Sequence, residues 1–229
     1  MPYSAALKLS FDDADVATMT EAKRDFRMYS ESTLHTNGMI RKPSPVNQAV
    51  CSPTTGSFKL MTFRQCTGDH CGSIIFTSFW MKVSTTENTP VSSTPADVVL
   101  LFKCAFLSIY GTLDDSIMEQ GVIQASLVVT NDANICSFEM HIPLAAWFHL
   151  VVDYRRSAGS FIVYMNSQQA FRLADTPCSD VDRSLYPDPE ILLGNDAGVE
   201  VCVDQISYHD EDTHYTPLQV AIKHFYNGK

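Results

Sequence analysis

Charge is scarce in this chain, and positive charge scarcer still. Asp, Glu, Lys and Arg make up 18% of the 229 residues, below the roughly one quarter of ordinary soluble chains, while hydrophobic residues reach 45%. That balance argues against intrinsic disorder and against a coiled coil. The 16 Lys and Arg stand against 26 Asp and Glu for a formal charge of −10. Such a chain has no broad basic face for a phosphate backbone, so nucleic acid is not an expected partner.

Long apolar runs are missing too. The longest, Val98 to Tyr110, is broken by Lys103 and falls short of the roughly 20 residues that a helix needs to cross a bilayer. Met1 to Ala6 has no basic segment leading into a long apolar one and does not read as a secretory signal. An intracellular protein or a segment of a larger ectodomain fits that start. There is no Asn-x-Ser/Thr acceptor, only the rare Asn134-Ile-Cys variant, and no fixed-period repeat.

Cysteine, by contrast, is plentiful. Cys51, Cys66, Cys71, Cys104, Cys136, Cys178 and Cys202 give seven, more than a cytosolic domain of this size carries and fewer than a disulfide-knotted miniprotein. Two or three bridges added to a hydrophobic core fit this number, and the odd count leaves at least one thiol unpaired or paired with a cysteine outside this segment. Cys66, His70 and Cys71 supply three metal-ligand side chains in six residues, but no second pair follows at zinc spacing, so a local bridge is the expectation. The positions of the cysteines relative to the strands suit cross-strand pairing in oxidising surroundings, so the extracellular space or cell surface is preferred over the cytoplasm.

Period-two alternation and β-branched or aromatic runs dominate, parted by Gly, Pro, Asn and Asp. Strands are expected over Ala5–Phe11, Ser57–Phe63, Ser73–Ser84, Val98–Ser108, Gly121–Val129, Ile135–Ile142, Trp147–Tyr154, Ser160–Met165, Gln168–Leu173, Glu190–Leu193 and Val199–Tyr208. So many strands exclude a doubly wound α/β fold. Thr18–Tyr29 and Pro217–Phe225 carry helix-start signals, and the Pro-rich Arg41–Pro53 and Ser84–Pro95 read as loops. Trp147–Leu173 reads as a three-stranded meander that turns at Arg155–Gly159 and again at Asn166-Ser167.

The order of these pieces carries a resemblance. Trp147-Phe-His149-Leu-Val-Val-Asp-Tyr, then Phe161-Ile-Val-Tyr164-Met-Asn166, then Ile191-Leu-Leu-Gly194-Asn195-Asp196, then Val201-Cys-Val-Asp204-Gln-Ile206-Ser-Tyr208 is similar to the laminin-G-like and pentraxin-like domains of the concanavalin-type superfamily. Phe76-Thr-Ser-Phe-Trp80-Met-Lys looks like that family's earlier "F-W" strand. The match covers about residues 136–208; the family's Asp-Gly hairpin is Asn166-Ser167 here, and the first 70 residues match little beyond a starting strand. The resemblance implies an all-β antiparallel jelly-roll β-sandwich, concanavalin-like, with one or two short helices and a single domain over 1–229. Phe76, Phe79, Leu101, Leu127, Phe138, Leu150, Val152, Ile162, Tyr164, Leu192 and Ile206 would fill the layer between two sheets.

For the disulfides, the family places a bridge at positions comparable to Cys104 and Cys136, on strands that could be sheet neighbours. Cys178 with Cys202 would tie the Asp175–Tyr186 loop to a late strand, and Cys66 with Cys71 would clamp a turn. Cys51 would then be odd, with Cys51–Cys66 and Cys51–Cys71 as competing choices.

Calcium is the family's commonest cofactor, held at the rim by oxygen ligands. Asp12, Asp13, Asp15, Asn195 and Asp196 are the candidates here, whereas Asp204 matches a carboxylate that more often makes a structural hydrogen bond. Arg155 and Arg156, at a hairpin tip, read as solvated residues that could meet an acidic glycan or a partner. His209-Asp210-Glu211-Asp212 with His214 reads as a solvated loop or a metal cluster, and Tyr154, Tyr186, Tyr208, Tyr215 and Tyr226 as aromatics able to stack on sugars.

Catalytic patterns are missing. No Glu-x-Asp-x-Glu run and no Gly-x-Ser-x-Gly elbow exists, and His141 and His149 read as structural strand residues. The expected function is recognition of a protein or glycan without catalysis, as in an adhesion or receptor ectodomain. A glycan-active hydrolase built on the His209–His214 cluster, and a domain assembling into homo-oligomers, are the alternatives.

Overall fold

A computed structural model describes residues 7–10, 18–21, 33–34, 40–53, 56–62, 74–86, 89, 98–104, 107–130, 135–153, 160–174, 190–194, 198–210 and 216–227. The chain begins with β1 (Leu7–Ser10), β2 (Thr18–Glu21), β3 (Thr33–Leu34), β4 (Ile40–Ser44), β5 (Asn47–Cys51) and β6 (Phe58–Thr62). β7 (Ile74–Thr85), β8 (Val98–Cys104), β9 (Leu107–Thr112), helix α1 (Asp115–Met118), β10 (Val122–Thr130) and β11 (Ile135–Pro143) follow. β12 (Phe148–Asp153), β13 (Ser160–Met165), β14 (Gln168–Ala174), β15 (Glu190–Leu193), β16 (Val199–Asp210) and helix α2 (Pro217–Asn227) complete it.

Two antiparallel sheets result, a jelly-roll sandwich. One runs β14-β13-β12-β7-β16-β1-β2, with β5 also paired to β16 and β4 to β5; the other runs β11-β10-β9-β8-β15-β6-β3. Strict alternation builds the layer between them. On β10, Ile123, Ala125, Leu127 and Val129 are buried while Gln124, Ser126 and Val128 are half-buried. β7 contributes Phe79, Met81 and Val83, and β12 contributes Phe148, Leu150 and Val152.

The alternation also corrects the expected core. Phe79, Leu101, Leu127, Phe138, Leu150, Val152 and Ile206 do fill the inner layer. Phe76, Ile162 and Tyr164 lie instead on the outer face of the nine-stranded sheet, where α2 covers them with Val220 and Ala221. Parity is the reason: Phe76 and Phe79 are three apart on one strand, so a period of two sends them to opposite faces. Leu192 is half-buried between the inward Ile191 and Leu193.

Local differences have local causes. Arg41–Pro53, read as a loop, holds the hairpin β4–β5, with Ser44 opposite Asn47 across the turn. Pro43 is tolerated because β4 pairs only with β5, so its missing N–H leaves no ladder bond unmade. Val98–Ser108 is two strands, β8 and β9, rather than one. Residues 18–21 form strand β2 on β1 instead of opening a helix. The helix expected at Pro217 is present. Gln219 N donates to Thr216 Oγ1 at 3.2 Å and Thr216 N to Gln219 Oε1 at 2.9 Å, a reciprocal capping box ahead of the first turn. The Asn166-Ser167 turn also forms, with φ of 51° and 68°, the pair of positive values that a two-residue hairpin requires.

One bridge is formed among the described residues, and it corrects the expected pairing. Cys51 joins Cys202 across 151 residues of sequence, on directly opposed positions of β5 and β16. Cys202 is therefore not available to Cys178, and Cys51 is not the odd thiol. The pairing of Cys104 with Cys136 is also overturned. The register Cys104–Leu107, Leu107–Val129 and Val129–Cys136 puts β9 and β10 between them. Three strand spacings, about 14 Å, exceed the reach of a disulfide. Cys66, Cys71 and Cys178 lie outside the described residues.

Gly194 ends β15 at φ 66°, and a Cβ there would meet Ser52 Oγ at 2.6 Å. That hydroxyl accepts from Val201 N at 3.0 Å, tying the segment after β5 to β16. Gly194→Ala is expected to lower the unfolding free energy by about 3 kcal/mol, from left-handed strain and a displaced buried hydrogen bond. Urea denaturation checks it, and Ser52→Ala in the same chain should recover part of the loss.

Candidate functional site: a polar seam beneath the C-terminal helix

The outer face of the nine-stranded sheet brings buried polar side chains together. Outward positions on β7 supply Ser78 and Trp80, β12 supplies His149 and Asp153, and β16 supplies Asp204, Ser207 and His209, all buried. Helix α2 lies over β12, β13 and β7. Its last turns bring His224 to 5.3 Å from the His149 ring and Phe225 to 6.1 Å from Trp80.

His149 is the most enclosed of these groups. Its ring is 0% exposed, lies 5.2 Å from Trp80, and forms no hydrogen bond through Nδ1 or Nε2; Trp80 Nε1 is likewise without a bond. Each such buried orphan costs on the order of 1–3 kcal/mol. The backbone fixes the position: His149 N donates to Asn166 Oδ1 at 3.0 Å and Asn166 N donates to His149 O at 2.9 Å. Burial, seconded by the charge of His224, holds the His149 imidazole well below the usual histidine range.

His209 is enclosed in a different way. It stacks on Phe76 at 4.1 Å, and its Nε2 lies 3.1 Å from Ser207 Oγ, which is 2.6 Å from Ser78 Oγ. Thr77 Oγ1 donates to Ser207 O at 3.0 Å. Burial first and His224 second push the His209 pKa down as well. Asp204 accepts from Ser44 Oγ and from Gln205 N, both at 2.7 Å, at a bulge where Gln205 takes φ 51°. That is the structural role expected for this carboxylate.

The Ser207–His209 contact pairs a hydroxyl with a base, as nucleophilic catalysis needs, yet both residues are 0% exposed. A substrate does not reach them in this arrangement. Of the residues expected to meet a ligand, Tyr208 points into the core between the sheets, and His209 is buried on β16 against Phe76 rather than in a solvated loop. Tyr226, at 65% exposure, does face solvent. Asp12, Asp13, Asp15, Tyr154, Arg155, Arg156, Asn195, Asp196 and His214 lie outside the described residues. Among the described residues, Cys51, Glu200 and Cys202 group as metal ligands, but the disulfide occupies both sulfurs.

In the sequence His149 reads as a structural strand residue, and Trp80 and His224, whose rings lie beside it, are remote from it in the chain. The helical period carried a signal: His224 sits four residues after Val220 and three after Ala221, on the face that both bury.

No family model matches the chain, and no curated protein matches it in sequence. Solved structures do match in fold. The botulinum neurotoxin serotype D binding domain superposes with a TM-score of 0.62 at 11% identity, over 96% of this chain and 51% of that one. The binding domain of Paraclostridial Mosquitocidal Protein 1 gives 0.61 at 12% identity, over 96% and 51%. Botulinum neurotoxin type C, which depends on interaction with two ganglioside molecules to enter cells, gives 0.60 at 13%, over 99% and 51%. The chain spans about half the length of the structures it matches. At these identities the likeness is one of fold, a β-sandwich shared with binding domains. Among the described residues no helix is long and apolar enough to cross a membrane.

Proposed function

We propose that this chain is a non-catalytic recognition module, acting outside the cell or at its surface, that binds a glycan or protein through its loops and exposed faces. The observation that supports the reading is a sandwich superposing over almost its whole length on toxin binding domains, with its own polar seam sealed from substrate. In this reading residues 1–229 form one domain, kin to the laminin-G-like and pentraxin-like sandwiches. Arg155 and Arg156 are its candidate contacts to an acidic ligand, and Asp12, Asp13, Asp15, Asn195 and Asp196 its candidate calcium ligands. The Cys51–Cys202 bridge suits an oxidising compartment.

Binding to vesicles containing gangliosides, beside a neutral glycan array, tests it. With a formal charge of −10, long-range repulsion opposes approach to a sialylated surface. Retention on ganglioside vesicles is therefore expected to rise between 20 and 150 mM salt, to roughly twice its low-salt value, as the Debye length shortens. Retention that falls steeply with salt would show that attraction at a local basic contact such as Arg155–Arg156, and not the net charge, governs binding. Silence on both glycans and vesicles would leave a protein ligand, sought by crosslinking on intact cells.

A further inference from the structure

We infer that helix α2 is a pH-sensitive latch: it closes over the sheet while His149 and His209 are neutral, and acidification to about pH 5.5 releases it by protonating both.

The geometry supplies two closed-state interactions that oppose protonation. First, α2 closes over the sheet face that holds both rings: it lies on β12, which carries His149, and packs Val220 and Ala221 on Phe76, against which His209 stacks; both histidines are 0% exposed. An imidazolium there loses its hydration, and His149 has no hydrogen bond in place to replace it. Second, α2 carries His224 to 5.3 Å from His149, so a proton on each would set like charges face to face. Both penalties vanish when α2 lifts away.

Among the described residues, the remaining charged and titratable neighbours do not reverse this. On β12, Asp153 is four residues along the same face; on β13, Tyr164 faces the seam; on β7, Trp80 and Ser78 flank it, with Lys82 next along. On β16, Asp204 stands beyond Trp80, already bonded by Ser44 and Gln205, and on β1, Lys8 stands opposite Ser207. On α2 itself, Lys223 precedes His224. Asp153 and Asp204 belong to the sheet, so they attract a proton on either histidine whether α2 is closed or open. The cations of α2, Lys223 and His224, leave with it. The difference between the two states is water gained and positive charge lost, and both favour the protonated open form.

The sign follows from linkage. Each histidine has a folded pKa below its open-state value of about 6.5, so closure is fully favoured above about pH 6.5 and weakens as pH falls below it, tenfold per pH unit per histidine. Two histidines raise the opening equilibrium by about 100-fold between pH 7.5 and 5.5. The apolar contacts that α2 gives up on opening are Val220 and Ala221 on Phe76, Val151 and Tyr164, with Phe225 against Trp80.

Hydrogen exchange on the full chain reads the latch directly, with rates corrected for the intrinsic pH dependence of exchange. Amides 220–227 are expected to lose about 100-fold of their protection between pH 7.5 and 5.5, while β12 and β16 amides keep theirs. His149→Phe should cut the loss to about tenfold, and adding His209→Phe should abolish it. Unchanged protection of α2 at pH 5.5 overturns the proposal, as does a loss shared equally by β12 and β16, which is global acid unfolding. Should the Phe variants not fold, NMR titration of the wild-type imidazoles decides. Rings that titrate near pH 6.5 while α2 stays protected overturn the latch; rings that titrate together with α2 exchange support it.

Discussion

Replacing Cys51 and Cys202 together by alanine is expected to lower the unfolding free energy by about 4 kcal/mol. The bridge closes a loop with a sequence separation of 151, for which the chain-entropy relation gives about 5 kcal/mol, the upper end of what native disulfides contribute. Both cysteines are buried beside Ala49 and the half-buried Trp147, so part of their packing survives as alanine. The bridge also pins the β4–β5 hairpin to β16, alongside the Ser44–Asp204 hydrogen bond and the Lys42–Glu200 ion pair. Guanidinium denaturation of the oxidised wild type, the reduced wild type and the double variant measures it. Reduced protein and variant should agree closely; a wild type indifferent to reduction would show that the unfolded chain gains little freedom.

Phe79→Ala should lower stability by about 4 kcal/mol as well, by a different route. Phe79 sits mid-strand on β7 and is fully buried. Its ring lies 4.7 Å from that of Phe102 on β8, so the pair joins the two sheets across the inner layer. Truncation removes most of the side chain's transfer free energy and leaves a void that neighbours on both sheets fill only partly. Phe79→Leu should cost about 1.5 kcal/mol, since most of the volume remains. Thermal and denaturant unfolding of both variants tests the ratio, and equal losses would show that ring stacking rather than volume governs the site. Phe76→Ala is a useful contrast: it lies under α2 on the opposite face, so its loss should loosen the helix more than the sandwich.

Much of the fold was legible because sheet formation follows a local alternation. The strands at Ser57–Phe63, Ser73–Ser84, Gly121–Val129, Ile135–Ile142 and Val199–Tyr208 fall within a few residues of β6, β7, β10, β11 and β16. Pro217 at a helix start, with Thr216 before it, was readable for the same reason, since capping needs only neighbours in sequence. The errors arose where a remote partner decides. Pro43 and Pro45 look like breakers until β4 is seen as an edge, and Cys51 looks unpaired until β5 docks on β16. His209 belongs to an acidic cluster in sequence, yet β16 continues through it and buries it against Phe76.

The sequence by itself determined an all-β chain, an acidic surface unsuited to nucleic acid and the stretches able to form strands, because composition and period-two patterning are local properties. Only the tertiary structure decided which face each strand buries, which cysteines meet and that two histidines come to lie under a helix that carries a third. Those outcomes depend on register and strand order, and a shift of one residue in register would turn every outward side chain inward.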